Sequence, residues 1–342
     1  MALAAWASGS AAGSGFYVPP EEDPHELTFM QWPVDLRVYG SRRFLRRTQQ
    51  VIADVANTVS EFEPVIMLMA AEHVEDARRH LSSDVEIWDI PTDDLWCRDA
   101  GPIFAVNGSG DLAVTHIQFN GWGRKQATPN DNQIAARVAA RLGVPLMDTG
   151  LVGEGGSTEQ SGHGTLIAHE SSWVNDNRNP GKSRDDIERL LLQAYGARRM
   201  VWAPGVWGED ITDYHIDSLA RFTGPNRILM NLPDDPDPSD PFHAAALETH
   251  DILQAEGFEI EVIAEPVRRR VRSNDFVASY ANYYACNGAI IAAEFGDPET
   301  DAIAVDALRR HYPGREIVTL NVDPLGELGG GIHCTTQQMP KA

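Results

Sequence analysis

The sequence lacks several things, and each absence removes a class of protein. No apolar run reaches the roughly 18 residues that a membrane-spanning helix requires, so no membrane segment is expected. Cationic residues are scarce: 28 Lys and Arg stand against 50 Asp and Glu among 342 residues, a net charge of −22. Such a surface repels nucleic-acid phosphates and suits a small cationic ligand, which only nearby carboxylates can steer through salt. Cysteine is rare too. Cys97, Cys286 and Cys334 are odd in number and form no C-x-x-C, so neither a disulfide framework nor a thiolate zinc site is expected. The first 15 residues, MALAAWASGSAAGSG, lack the basic segment of a secretory signal. They are expected to form a disordered leader on a cytoplasmic protein, or the trimmed end of an export signal on a periplasmic or secreted one.

What is present is ordinary globular material, 42% apolar and 23% charged. Within it an amphipathic helix, a short turn and a β-rich run recur five times, at Asp76–Pro91, Ala135–Gly150, Ile187–Gly205, Leu247–Pro266 and Ala304–Val322. Strand starts expected at Val85, Val144, Met200, Ile260 and Ile317 lie 59, 56, 60 and 57 residues apart. A steady period over five units predicts a repeat architecture. Further strand-like runs between these strands, such as PIFAVN and RILMNLP, predict five small mixed sheets with helices arranged in a ring. Residues 16–342 are expected to form one catalytic domain.

The unusual residues fall after the repeated strands: Asp99 in DDLWCRDAGP, Glu154 in GEGGS, His215 and Asp217 in EDITDYHIDS, and Cys334 in GGGIHC. The fourth unit offers RSNDFV at the matching place. Equivalent loops of a ring meet at one end of its axis, which would give the terminal GGGIHCTTQQMP a reason to stay ordered. Cys334 is the candidate nucleophile, with glycines at 329–331 allowing close approach of the backbone to a ligand. Cys286, within YYACNGAII, is expected in the core, and Cys97 beside Asp99 as a structural neighbour. Three carboxylates around one thiol would hinder its ionisation unless a cation sits among them. A planar guanidinium answers that need, because its N–H donors match carboxylates two at a time. Clamped there, it would present its central carbon to Cys334, with His215 moving protons.

One segment admits a second reading. Asp213-Tyr214-His215-Ile216-Asp217 has a D-x-H-x-D spacing similar to the manganese ligands of arginase-like ureohydrolases, which use a metal-bound hydroxide. The other Asp-rich stretch, DDPDPSDP at Asp234–Pro241, is broken by proline and is expected to be a loop.

From about Gly15 to Pro340 the chain resembles the agmatine deiminases of the guanidino-modifying, five-bladed α/β-propeller (pentein) superfamily. The motifs that carry the resemblance are EDPHELTFMQWP, DDLWCRDAGP, FNGWG, EGGS, NDNRNP, HID, SYANYYACNGA, FGDPETD and GGGIHCTTQQMP. The resemblance implies an α/β-propeller with Cys334 as nucleophile, His215 as acid and base, and Asp99 and Asp217 as guanidinium clamps. It places Glu154 near the site and Trp96 in the substrate pocket, and implies no metal or organic cofactor. The implied partner is a small cationic guanidine, agmatine first, converted with water to N-carbamoylputrescine and ammonia; a homo-oligomer is allowed. The chain departs from the pattern at Asp213-Tyr214, where Asn-Gly is usual, at Ser218, where Asn is usual, and in STEQSGHGT. These changes shift weight toward arginine or a C-terminal peptidyl arginine, whose α-carboxylate would need Arg178, Arg272 or Arg124. A ribosome-associated initiation factor shares the fold without the deiminase residues, and the joint presence of Cys334, His215, Asp99 and Asp217 argues against that reading.

Overall fold

The computed structural model describes residues 15–273 and 276–342, so the leader, apart from Gly15, lies outside the described residues. The first sheet holds β1 (His25–Gln31), β2 (Val65–Met69) and β3 (Val85–Asp89). The second holds β4 (Ile103–Val106), β5 (Leu112–Gln118) and β6 (Leu146–Val152). The third holds β7 (Thr158–Gln160), β8 (Thr165–His169) and β9 (Arg199–Ala203). The fourth holds β10 (Ala220–Gly224), β11 (Arg227–Leu232) and β12 (Glu259–Ala264). The fifth holds β13 (Tyr284–Cys286), β14 (Ala289–Ala293) and β15 (Glu316–Leu320). The last strand, β16 (Thr336–Pro340), returns to the first sheet and pairs antiparallel with β1, Phe29 facing Gln337. This is a mixed α/β-propeller of five sheets, and the joint between chain ends is made by hydrogen-bonded strands.

Each unit uses one antiparallel pairing and a parallel pairing bridged by a helix, and the first adds a second parallel pairing, of β2 with β3. The bridging helices are α1 (Arg42–Val59), α2 (Ile134–Leu142), α3 (Arg184–Tyr195), α4 (Pro241–Ala255) and α5 (Pro298–His311). Their starts follow from local chemistry. Ser41 accepts a hydrogen bond from the Phe44 amide, and Ser183 and Asp186 form a reciprocal capping box. Asp240 and Asp297 cap α4 and α5, each followed by a proline whose missing N–H costs nothing in the first turn. DDPDPSDP is therefore the loop the sequence suggests, ending in the cap of α4. Between helices and sheets lies the apolar core, in which β2, VIMLM, is buried throughout, and Cys286 and Cys97 are fully buried.

The first unit differs from expectation. The helix anticipated near Asp76 is a single turn, Val74–Ala77, and Val85–Asp89 is a fourth strand added outside β2. The counterpart of the other units is α1 followed by β2, so the regular spacing holds only from the second unit onward. An inserted strand of ordinary amphipathic pattern imitates the repeat, which is why spacing alone misplaces the unit.

The inner strands of neighbouring units are adjacent, β16 beside β4 and β7 beside β10. Two to four residues before each inner strand comes a candidate site residue: Asp99 before β4, Glu154 before β7, Asp217 before β10, Asn282 before β13 and Cys334 before β16. The repeat thus delivers one side chain per unit to the same end of the fold.

Candidate active site

Cys334 lies on a single helical turn, Ile332–Thr335, and stays partly exposed. Its thiol lies 3.4 Å from Asp217 Oδ2, and the Asn282 amide donates to the sulfur at 3.2 Å. The glycines before it have a steric purpose. Gly329 has φ +91°, a conformation L side chains rarely adopt. A methyl group at Gly330 would meet the Trp96 ring at 2.6 Å and the Cys334 sulfur at 3.4 Å, so Trp96 packs over the backbone next to the thiol. One at Gly331 would meet Asn282 Oδ1 at 2.4 Å.

Asp99 sits on the short helix Cys97–Ala100 with both carboxylate oxygens engaged. The Gly156 amide donates to Oδ1 at 3.0 Å and the Trp122 indole to Oδ2 at 2.9 Å. His215 stands between acids, its Nδ1 3.7 Å from Asp99 Oδ1 and its Nε2 3.4 Å from Glu154 Oε2. Asp217 gives Oδ2 to His333 Nδ1 at 2.8 Å, while its Oδ1 is buried without a hydrogen-bond partner. These groups surround a glycine. A methyl at Gly156 would lie 2.8 Å from His215 Nδ1, 2.9 Å from Asp99 Oδ1 and 3.0 Å from Asp217 Oδ2.

The charges are tuned by this proximity. Burial pushes every carboxyl up, but neighbouring cations decide the outcome. Arg178 and His215 hold Glu154 below its usual range, and His333 and His215 do the same for Asp217. Asp99 has only His215 nearby against Glu154 and Asp217, so burial wins and its carboxyl is raised. Burial alone would lower His215, yet Asp99, Glu154 and Asp217 outweigh it and raise the imidazole to about 9. The Cys334 thiol is driven well above its ordinary value by burial and by Asp217 and Asp99. The site is thus an acidic cluster around a protonated thiol, suited to a cation that would complete it.

The structure brings together Cys334, Asp217, Asp99, His215, Glu154 and Trp96. RSNDFV, the segment expected to supply the fourth unit's residue, includes Asn274 and Asp275, which lie outside the described residues; the loop ahead of β13 brings Asn282 to the site, its amide donating to the Cys334 sulfur. Of the D-x-H-x-D segment, His215 and Asp217 face the cluster around Gly156, while Asp213 turns away to Arg178 at 2.6 Å and Lys125 at 2.8 Å. Among the described residues no group of three such side chains is arranged around a metal position. Arg178, fully buried, also grips Glu154 at 2.8 Å and is thereby committed, while Arg124 and Arg272 are exposed. Tyr214 stacks on His169 with ring centres 4.7 Å apart. Asn282, His333 and Trp122 lie inside the quoted motifs without a role assigned to them; Asn282 is marked only by its place two residues ahead of β13, matching Cys334 ahead of β16.

The family model of Porphyromonas-type peptidyl-arginine deiminases matches residues 17–340. The chain belongs to this family. A Streptomyces coelicolor protein that carries a provisional agmatine deiminase name is 33% identical over 339 residues, covering 95% of this chain and 99% of that protein. A solved structure described as the agmatine deiminase of Enterococcus faecalis catalysing its reaction superposes with a TM-score of 0.88 at 25% identity, over 99% of this chain and 100% of that one. A structure from Porphyromonas gingivalis with a provisional arginine deiminase name gives 0.82 at 28% identity, over 95% and 98% of the two chains. The pentein fold and membership of a guanidine-deiminating family follow from these likenesses.

Proposed function

We propose that the protein hydrolyses agmatine to N-carbamoylputrescine and ammonia, with Cys334 as nucleophile, His215 as acid and base, and Asp99 and Asp217 as the guanidinium clamp. Glu154 fixes His215, and Trp96 walls the pocket beside the sulfur. The observation that carries this reading is the partnerless, buried Asp217 Oδ1 on a carboxylate whose other oxygen lies 3.4 Å from a partly exposed thiol. An acceptor left unpaired in this way calls for a donor, and a guanidinium N–H supplies one.

The steps follow from the charges. A bound guanidinium offsets Asp99 and Asp217, removing the repulsion that holds the thiol protonated, so Cys334 gives its proton to solvent water. The thiolate attacks the central carbon and a tetrahedral adduct forms. Protonated His215 gives its proton to one nitrogen, the C–N bond breaks, and ammonia departs, leaving an amidino group on sulfur. Neutral His215 then takes a proton from water as its oxygen attacks the same carbon. Collapse of this second adduct breaks the C–S bond as its hydroxyl proton passes to the departing sulfur, releasing the ureido product and restoring the thiol.

Agmatine is favoured over arginine because Arg178, the buried candidate for an α-carboxylate, is taken up by Glu154 and Asp213. The names of the Streptomyces and Enterococcus proteins point the same way. The test is a panel of agmatine, free arginine and a peptide ending in arginine, assayed for ureido product. We expect kcat/KM for agmatine to exceed the others by at least about 100-fold, the scale set by a missing charge partner. Preference for either arginine substrate would overturn the assignment of agmatine while keeping the chemistry.

A further inference from the structure

Outside the clamp, the residue most tightly tied to it is one with no assigned role. His333 precedes Cys334 on the same helical turn, where successive side chains diverge by about 100°, so the sulfur can face the site while the imidazole faces the fold's interior. The ring is 3% exposed. Nδ1 lies 2.8 Å from Asp217 Oδ2 and Nε2 lies 2.9 Å from Glu21 Oε2. Both ring nitrogens are therefore engaged by acids on opposite sides of the ring.

Glu21 is itself fixed from several sides. Arg98 reaches Oε2 at 2.8 Å, Arg221 reaches Oε1 at 3.0 Å, and the Ala285 amide donates to Oε1 at 2.9 Å. Burial pushes this carboxyl up, but Arg221, His333 and Arg98 hold it well below its usual range. Arg221 continues to Glu159 at 3.1 Å, and Arg98 to Gln338 at 2.9 Å. The anchor therefore joins residues of β7, β10 and β16 to the segment before β1. An imidazole held this way has little freedom to turn, and it passes that fixity to Asp217.

Resting on the proposed deiminase reading, we infer that His333 is a positioning residue: bridging Asp217 to Glu21, it holds one Asp217 oxygen so that the other is presented, unpaired, to the guanidinium. Carboxylates that touch a reacting group need such an outer partner, because a freely rotating acid loses alignment on binding. Nothing in the chemistry requires His333 to touch substrate.

Three variants separate the roles of the two ring nitrogens. His333→Asn keeps a side-chain donor near the place of Nδ1 but not the reach to Glu21; His333→Gln extends a donor toward Glu21 and leaves Asp217 without one; His333→Ala lacks both. Against agmatine, Ala and Gln should raise KM about tenfold or more, the usual scale for loss of an outer-shell partner, while Asn stays within about threefold of wild type. A role confined to folding would instead lower kcat per mole of protein, make the buried Cys97 and Cys286 thiols reactive, and leave KM untouched. Crystal structures of the Ala and Asn variants supply a readout that needs no substrate: Asp217 should turn away from Cys334 in the first and keep its place in the second. Wild-type KM in the Ala variant, rescue by Gln equal to that by Asn, or an unmoved Asp217 in the Ala crystal would overturn the inference. If the wild-type protein converts no guanidine, the functional reading fails, and the crystals still decide whether His333 positions Asp217.

Discussion

Asp217 Oδ2 lies 3.4 Å from the Cys334 sulfur and 2.8 Å from His333 Nδ1. One carboxylate oxygen therefore links the thiol to the interior of the fold. Its negative charge also works against the thiolate, together with Asp99 and burial.

Asp217→Asn tests both sides of that relationship. Without the charge the Cys334 thiol should ionise at lower pH, visible as faster iodoacetamide alkylation at pH 8 than in wild type. Turnover should nevertheless fall by about 100-fold or more, since a charged partner of the transition state is lost. Slower alkylation, or unchanged kcat/KM, would remove Asp217 from the clamp.

Gly156→Ala adds one methyl where His215, Asp99 and Asp217 converge, within 2.8–3.0 Å of all three. Those side chains are tied to Trp122, Glu154 and His333 and have little room to yield. We expect kcat/KM to drop about 100-fold, the loss associated with a misplacement of about 1 Å, with circular dichroism unchanged. Wild-type kinetics would show that the substrate does not approach this glycine.

The pH profile follows from His215. Its folded-state pKa is raised to about 9 by Asp99, Glu154 and Asp217 against burial. A raised imidazole stabilises the fold fully below its unfolded value near 6.5, and that contribution is lost as pH climbs through about 9. The same deprotonation removes the acid that expels ammonia, so kcat/KM should fall on the alkaline side with a midpoint near 9. A plateau persisting to about pH 10.5, where such a group would be almost entirely neutral, would exclude His215 as that acid.

Arg178 has a side chain with no solvent exposure and joins Glu154 to Asp213. Arg178→Met leaves two buried carboxylates short of their partner and should cost about 3–5 kcal/mol in urea unfolding. A cost below about 1 kcal/mol would mean that water or Lys125 replaces the guanidinium, and would reopen Arg178 to a role in binding.

Much of this was visible in the sequence, for reasons that differ between residues. Cys334 stood out because glycines and a histidine around a cysteine have no use in a core, and β16 behind it explains why the terminus is ordered. Asp99, Glu154, His215 and Asp217 could be placed because each unit ends in a polar loop. Asn282 was hidden inside SYANYYACNGA, where it is one of two asparagines and looks like any turn asparagine. Its position two residues before β13 matches that of Cys334 before β16, and only the strand assignments reveal this. His333 was masked by its neighbour, since adjacency in sequence says nothing about opposite directions on a helical turn. Asp213 and Tyr214 stood out only as departures from the family pattern; one is held by Arg178 and Lys125 and the other stacks on His169. Such long-range partners leave no local pattern. The first unit was misplaced because β3 imitates the spacing of strands to which it is not equivalent.

Ureido product formation by Cys334→Ala, measured beside wild type with melting temperatures matched, tests the central claim most directly. The account predicts no product above the uncatalysed background, because no other group here can form the covalent amidino intermediate. Product formation at the wild-type rate would contradict it.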